Sequence, residues 1–250
     1  NKKYEFNFTM LGARRVGKTS LLAAMYDKLT DDFAGSIIFT RDATTSSRLS
    51  EKLVNLKEQV TKSICRVSPT LGIEGGSELE KYKFKIGFPS KDSTEFIFNF
   101  TDYPGGWLKP ESGKTDFVRD LVRENQAVLI AIDSPAMMEA KGRYNDSINQ
   151  PEQIFEILQK SIEAEKPKLV LFCPVKTESY ILKGQADDLI SKVKENFRKS
   201  INHLKSFPDV TAAIVSVQTL GCLVFSRIEE SQTDPTFLYK KTRPDAKYAP

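Results

Sequence analysis

A three-layer α/β fold, with a mostly parallel sheet between helices and one antiparallel edge strand, is predicted by three features of this sequence. First, apolar runs at 127–132, 169–175 and 212–217 alternate with amphipathic stretches at 115–124, 152–163 and 185–204. Strands apolar at nearly every position are buried on both faces, which requires helices above and below the sheet. Second, Tyr82, Phe84, Ile86 and Phe88 alternate with Lys81, Lys83, Lys85 and Gly87, and Phe96, Phe98 and Phe100 follow a turn at 89–93. Lysines along one face suit a sheet edge, and the short turn makes the two strands an antiparallel hairpin. Third, a glycine-flanked segment at 12–19 separates a strand-like stretch from a helix-like one.

Residues 4–11 alternate aromatic and apolar residues with polar ones and read as the first strand. From Thr19, the residues Leu21, Leu22, Met25, Tyr26 and Leu29 recur at helical spacing. Ile37-Ile38-Phe39 is long enough for a small strand. Asp42 is placed to cap an inserted helix of about 42–65, with Leu49, Leu53, Leu56, Val60 and Ile64 on its apolar face. Residues 68–76 hold Pro69, Gly72, Gly75 and Gly76, which permit unusual backbone and read as a loop. Pro151 suits the first turn of the helix that follows it. From 229 to 250 the chain is polar with several prolines and reads as a C-terminal arm or linker, leaving 1–228 as the folded domain.

A chain of 250 residues holds one α/β core more readily than two domains. Its net charge of +4 is small and its basic residues are dispersed, so neither nucleic acid nor a membrane is indicated as a partner. The apolar runs fall far short of a bilayer span, and 1–3 lead into a strand with no secretory signal. Cys65, Cys173 and Cys222 share no ligand spacing and read as reduced thiols of a cytoplasmic protein. The single histidine, His203, falls on an amphipathic stretch, and no histidine-based chemistry is expected.

The chemistry concentrates in Gly12-Ala13-Arg14-Arg15-Val16-Gly17-Lys18-Thr19, followed by Ser20, which fits G-x-x-x-x-G-K-[ST] at every fixed position. Between a strand and a helix, the backbone N–H groups of such a loop form an anion nest, and the helix N-terminus adds partial positive charge. Lys18 is expected to reach the β- and γ-phosphates of a nucleotide and the Thr19 hydroxyl to hold Mg²⁺. Downstream, the strand at 96–100 ends in Thr101-Asp102-Tyr103-Pro104-Gly105-Gly106, a D-x-x-G. Asp102 is placed to hold a metal-bound water. Gly105, without a Cβ, can bring its N–H to the γ-phosphate.

This order of parts resembles a P-loop GTPase of the translation-factor-related class over most of 4–221. Within that class it is similar to the bacterial double-GTPase-type domains, on the segments 102–106 and 173–178. The resemblance implies the P-loop NTPase fold, GTP or GDP with Mg²⁺ as cofactors, and a switch that works with a protein effector or activating partner. Additional-strand ATPases usually place Glu directly after the strand-end Asp, where this chain has Tyr103. The family's base-reading [NT]-K-x-D has its counterpart in Val175-Lys176-Thr177-Glu178. Lys176 would pack along the base, and Glu178 would accept from the guanine N1–H and 2-amino group. Val175 departs from the pattern, since it lacks the polar side chain of Asn or Thr. Ser216-Val217-Gln218 partly matches the S-A-K loop, with the Val217 N–H facing guanine O6.

For the first switch, Thr70 is the best positional match, with Ser68 and Ser77 as rivals. The resemblance thus assigns phosphoryl transfer to Lys18, Asp102 and Thr70, and the metal shell to Thr19, Thr70 and Asp102. Gly106 stands where many members carry the glutamine that orients the attacking water. Arg14 and Arg15 fill positions usually left as glycine, and three roles stay open for them: steadying transition-state charge in cis, pointing to solvent, or hindering that charge-stabilising geometry. Three functions stay open: a GTP-binding switch with slow Mg²⁺-dependent hydrolysis, an ATP-dependent phosphotransferase, and a non-catalytic nucleotide-binding scaffold. A phosphotransferase needs a basic lid, and no compact arginine-rich segment is present.

Overall fold

The computed structural model describes residues 2–31, 38–41, 43–59, 64–66, 79–87, 94–230 and 235–250. In chain order they form β1 (Lys2–Leu11), α1 (Lys18–Asp31), β2 (Ile38–Arg41), α2 (Ala43–Gln59), β3 (Ile64–Arg66), β4 (Glu80–Gly87), β5 (Thr94–Asp102) and α3 (Thr115–Glu124). There follow β6 (Ala127–Asp133), α4 (Ser134–Met138), α5 (Asn145–Ile148), α6 (Pro151–Ser161), β7 (Lys168–Val175) and α7 (Glu178–Leu182). The chain continues through α8 (Ala186–Asn196), α9 (Arg198–Lys205), β8 (Val210–Ile214), β9 (Leu223–Glu229) and β10 (Thr236–Lys241).

Seven strands make the main sheet in the order β2-β4-β5-β1-β6-β7-β8. β1, β5, β6, β7 and β8 are parallel, and β4 runs antiparallel to both of its neighbours. The predicted fold class is therefore present. The antiparallel strand sits one place in from the edge, because the short β2 pairs with residues 84–87 and becomes the outermost strand. Alternate strand residues point to opposite faces. Leu11, Ile130 and Phe172 join α3, α6, α8 and α9 in one apolar cluster, whereas Met10, Leu129 and Cys173 join α1 and α2 in another. The parallel β1–β5 pairing aligns Tyr4 with Phe96, Phe6 with Phe98 and Phe8 with Phe100, and their rings stack in a ladder.

Three local expectations change. The inserted helix ends at Gln59, so Leu49, Leu53 and Leu56 are buried as predicted, while Ile64 is 48% exposed in β3. Val60 and Asp42 lie outside the described residues. The single helix expected over 185–204 breaks at Phe197 (φ −105°, ψ 22°), whose ring turns into the core against Phe172. Pro151 occupies the first turn of α6 as expected, and Gln150 before it lies in the left-handed region at φ 52°.

The third change is at the C-terminus. Residues 235–250, read from composition as an arm or linker, fold back instead. β10 is the central strand of a three-stranded antiparallel sheet, β3-β10-β9, with Leu238 and Tyr239 buried. That sheet packs through Leu223 and Tyr239 on Ala23 of α1 and Leu56 of α2. Among the described residues, no helix is long and apolar enough to cross a membrane.

Candidate nucleotide site

The site lies at the C-terminal ends of β1, β5, β6 and β7, where parallel strands of an α/β sheet leave a crevice. Between β1 and α1 the chain reverses tightly, with Arg15 at φ 70° and Gly17 at φ 116°. A side chain at Gly17 would be strained at that φ, and its Cβ would lie 3.0 Å from Val175 Cγ2. Lys18 opens α1 and folds back over the loop. Its Nζ donates to Gly12 O at 3.0 Å and Ala13 O at 3.4 Å, and lies 5.5 Å above the centre of the buried Tyr103 ring. The same ammonium is 4.0 Å from Asp102 Oδ1. Burial lowers the Lys18 pKa and raises that of Asp102, and each group's charge opposes the shift imposed on the other.

Thr19 Oγ1 donates to Asp102 Oδ2 at 3.2 Å, while Asp102 Oδ1 is buried and accepts no hydrogen bond. A buried carboxylate oxygen without a donor, beside a threonine hydroxyl, is the oxygen set a hard divalent cation takes. The residues therefore fit Mg²⁺, and Thr19 and Asp102 are those that would hold it. Gly105 packs directly on the loop: a Cβ there would fall 2.3 Å from Arg14 N and 2.4 Å from Ala13 C, so no other residue fits. Gly106 differs, because a Cβ on it would meet nothing within 4 Å. Arg14 and Arg15 are exposed.

At the other end, Lys176 (φ 59°) forms a buried ion pair with Asp133 Oδ2 and donates to Arg15 O at 3.3 Å. Its stem runs beside Gly17, which ties the end of β7 to the phosphate loop. Asp133, the last residue of β6, also caps α4 by accepting from Ala136 N at 2.9 Å, and its own N–H donates to Asn149 Oδ1 at 2.7 Å. Glu178 is 2% exposed, and its Oε1 accepts from the N–H groups of Leu220 and Gly221. Its Oε2 is buried without a partner. Burial pushes the Glu178 carboxyl up to about 7, against the pull of the surrounding amides.

Val217, expected to offer its N–H to a base carbonyl, instead donates to Pro174 O at 2.9 Å as part of the bridge that extends β7. That expectation is corrected: the strand pairing takes the donor. The loop carrying Leu220 and Gly221 is itself held from the C-terminus. Tyr248 Oη donates to Thr219 O at 3.1 Å, and a Cβ on Gly221 would lie 2.7 Å from Ala249 N.

The structure thus brings Gly12, Ala13, Val16, Gly17, Lys18, Thr19, Asp102, Gly105 and Lys176 around one loop, and sets Glu178 in the next one. Thr70 and its rivals Ser68 and Ser77 lie outside the described residues. Sequence reasoning missed Asp133, Asn149 and Thr219, whose hydroxyl accepts from Lys176 N at 3.2 Å. One signal was available for Asp133. It is the only charge in Ala127–Asp133 and stands at that strand's C-terminal end, where ligands bind in such sheets.

A strand–loop–helix that carries Lys18 and Thr19, faced by a strand-end aspartate and overlaid by a lysine from β7, defines a GTPase-like P-loop domain. The Double-GTPase 2 family model matches residues 8–221, and the chain belongs to that family. Two solved structures of the S. cerevisiae Ski7 GTPase-like domain are similar in fold, each at 14% identity. The one bound to GDP and inorganic phosphate has a TM-score of 0.48, and the one bound to GTP 0.47. Each match covers 88% of this chain and 44% of the Ski7 chain, so this chain spans less than half the length of those structures. No curated protein matches the chain.

Proposed function

We propose that this domain binds GTP and GDP with Mg²⁺ and hydrolyses GTP slowly, as a switch read by a protein partner. The observation that carries this reading is the buried Lys18–Thr19–Asp102 cluster, with Asp102 Oδ1 accepting no hydrogen bond. Lys18 exchanges its bonds to Gly12 O and Ala13 O for phosphate oxygens, and the loop N–H groups cradle the rest of the chain of phosphates. Thr19 and Asp102 orient the metal, which when bound neutralises phosphate charge. Gly105, packed on Ala13 and Arg14, brings its N–H to the γ-phosphate side. Phosphoryl transfer in such a site is mostly positioning and electrostatics.

The slow rate follows from Gly106. Among the described residues no side chain fills the space beside it, so on this reading a partner supplies the group that orients water, and the lone domain turns over on the order of 10⁻³ s⁻¹ or below. The same open space favours one second reading, a nucleotide-binding scaffold with negligible catalysis. Buried free thiols at Cys173 and Cys222 support a reducing, cytoplasmic setting. Calorimetry comparing GTP, ATP and their non-hydrolysable analogues with Mg²⁺ tests the nucleotide. Tighter ATP binding replaces GTP by the phosphotransferase reading. A phosphate-release assay then separates a slow hydrolase from a scaffold.

A further inference from the structure

The inserted helix α2 brings a second lysine to the phosphate end of the site. Lys52 Nζ donates to Glu80 Oε2 and to Tyr82 Oη, each at 2.8 Å, and the Tyr82 hydroxyl donates to the same Glu80 oxygen. Glu80 is the direct antiparallel partner of Asp102. Directly paired residues show their side chains on the same face of a sheet, so Lys52 is docked one strand away from the metal-side carboxylate. Only 15% of the Lys52 side chain and 24% of that of Glu80 are exposed, which keeps water from screening the charges fully. After Lys18, Lys52 is the next cation opposing the upward push of burial on Asp102.

The helix is fastened as a body. Thr45 Oγ1 accepts from Lys83 N at 2.9 Å, Tyr26 and Ser50 share a hydrogen bond of 2.9 Å, and Lys57 pairs with Asp27 at 3.0 Å. Within the corner, Lys18 and Lys52 face Asp102 and Glu80, and Arg48 of α2 adds a further positive charge acting on Glu80. A triphosphate differs from a diphosphate by added negative charge on the Asp102 side, and that charge strengthens the hold on any cation docked there.

We propose that α2 reads the γ-phosphate through Lys52: negative charge entering beside Asp102 stabilises the lysine in this corner and, with it, the docked position of the helix. The inference rests on the guanine-nucleotide reading above. Lys52 is a positioning residue that acts through Glu80 and Asp102. The coupling is reciprocal, so a docked α2 tightens triphosphate binding as much as triphosphate tightens the docking of α2.

The test has two readouts, both with Mg²⁺ present. In the wild-type protein, backbone amides of Ala43–Gln59 are more protected from hydrogen exchange with a non-hydrolysable GTP analogue than with GDP. By calorimetry, Lys52→Met lowers affinity for the analogue roughly tenfold and for GDP less than about twofold, and Lys52→Arg restores the analogue. Equal losses for both nucleotides overturn the inference and leave Lys52 a structural anchor. Equal exchange of α2 in the two wild-type states overturns it even where Lys52→Met fails to fold. A wild-type protein that binds both nucleotides without either difference sinks this inference alone, whereas one that binds neither guanine nucleotide sinks the functional reading with it.

Discussion

Asp102, at the proposed phosphate end, and Glu178, at the proposed base end, each keep one buried oxygen without a donor, but Asp102 engages its other oxygen with the Thr19 side chain, whereas Glu178 engages its other with the backbone amides of Leu220 and Gly221, and Val217 engages its N–H with Pro174. On the proposed reading the phosphate end trades the Lys18 bonds to Gly12 O and Ala13 O for charge-assisted bonds to phosphate, which are stronger. The base end has to trade bonds inside the protein for bonds to a base, so less of that interaction appears as affinity. Phosphate grip and base selectivity are therefore separable here, and each substitution below acts mainly on one of them.

The largest effect belongs to Lys18. Lys18→Ala leaves the fold intact and lowers affinity for any nucleoside triphosphate about 1,000-fold by calorimetry, because desolvated phosphate loses its charged donor. Unchanged affinity in the folded variant would remove the phosphate end from the comparison altogether. Asp102→Ala comes next. It slows Mg²⁺-dependent phosphate release about 100-fold while GDP affinity changes far less, since the carboxylate acts through the metal. Parallel losses in both measurements would show that Asp102 merely holds the loop.

The base end shows itself through pH. In the unfolded chain Glu178 titrates near ~4.3, and folding raises it to about 7. Between those values the folded state binds the extra proton, so this group's contribution to stability falls as pH rises through that window and is flat above it. Guanine offers two donors to the carboxylate and favours its charged form. The GTP-to-ATP affinity ratio should then rise about tenfold between roughly pH 6 and pH 8, and Glu178→Gln should flatten that rise and lower the ratio. A ratio indifferent to pH in the wild type would leave Glu178 as a clamp on its own loop. The smallest effect is at the C-terminus, where Tyr248→Phe removes the bond to Thr219 O and costs about 1 kcal/mol in denaturant unfolding.

The same contrast governs what was legible in the sequence. The phosphate end is written in contiguous residues, Gly12 to Thr19 and Asp102 to Gly105, and a strand on one side with a helix on the other sufficed to place them. Long apolar runs likewise fixed β6 and β7 to within a residue. The base end depends on pairings that no local pattern carries. Glu178 meets Leu220 and Gly221 across a strand and two helices, and Lys176 finds Asp133 across another. The end of α2 was misplaced because Ile64 continues its apolar spacing, yet its backbone pairs with Lys240 of β10. β10 itself was hidden among prolines and charges, since six residues with two buried side chains make a weak alternation.

The small sheet has a consequence for how the molecule comes to exist. Arg66 pairs with Leu238, residues far apart in the chain, so this sheet closes only after β10 has left the ribosome. β1 to β8 and the phosphate loop are complete before that. At ribosomal rates of roughly 5–20 residues per second, β10 trails β8 by a time on the order of seconds. During that interval the residues of the phosphate loop have already been made, while the loop that clamps Glu178 still lacks Tyr248 and Ala249. The residues of the candidate site are thus synthesised with the phosphate loop first and the clamp on Glu178 last.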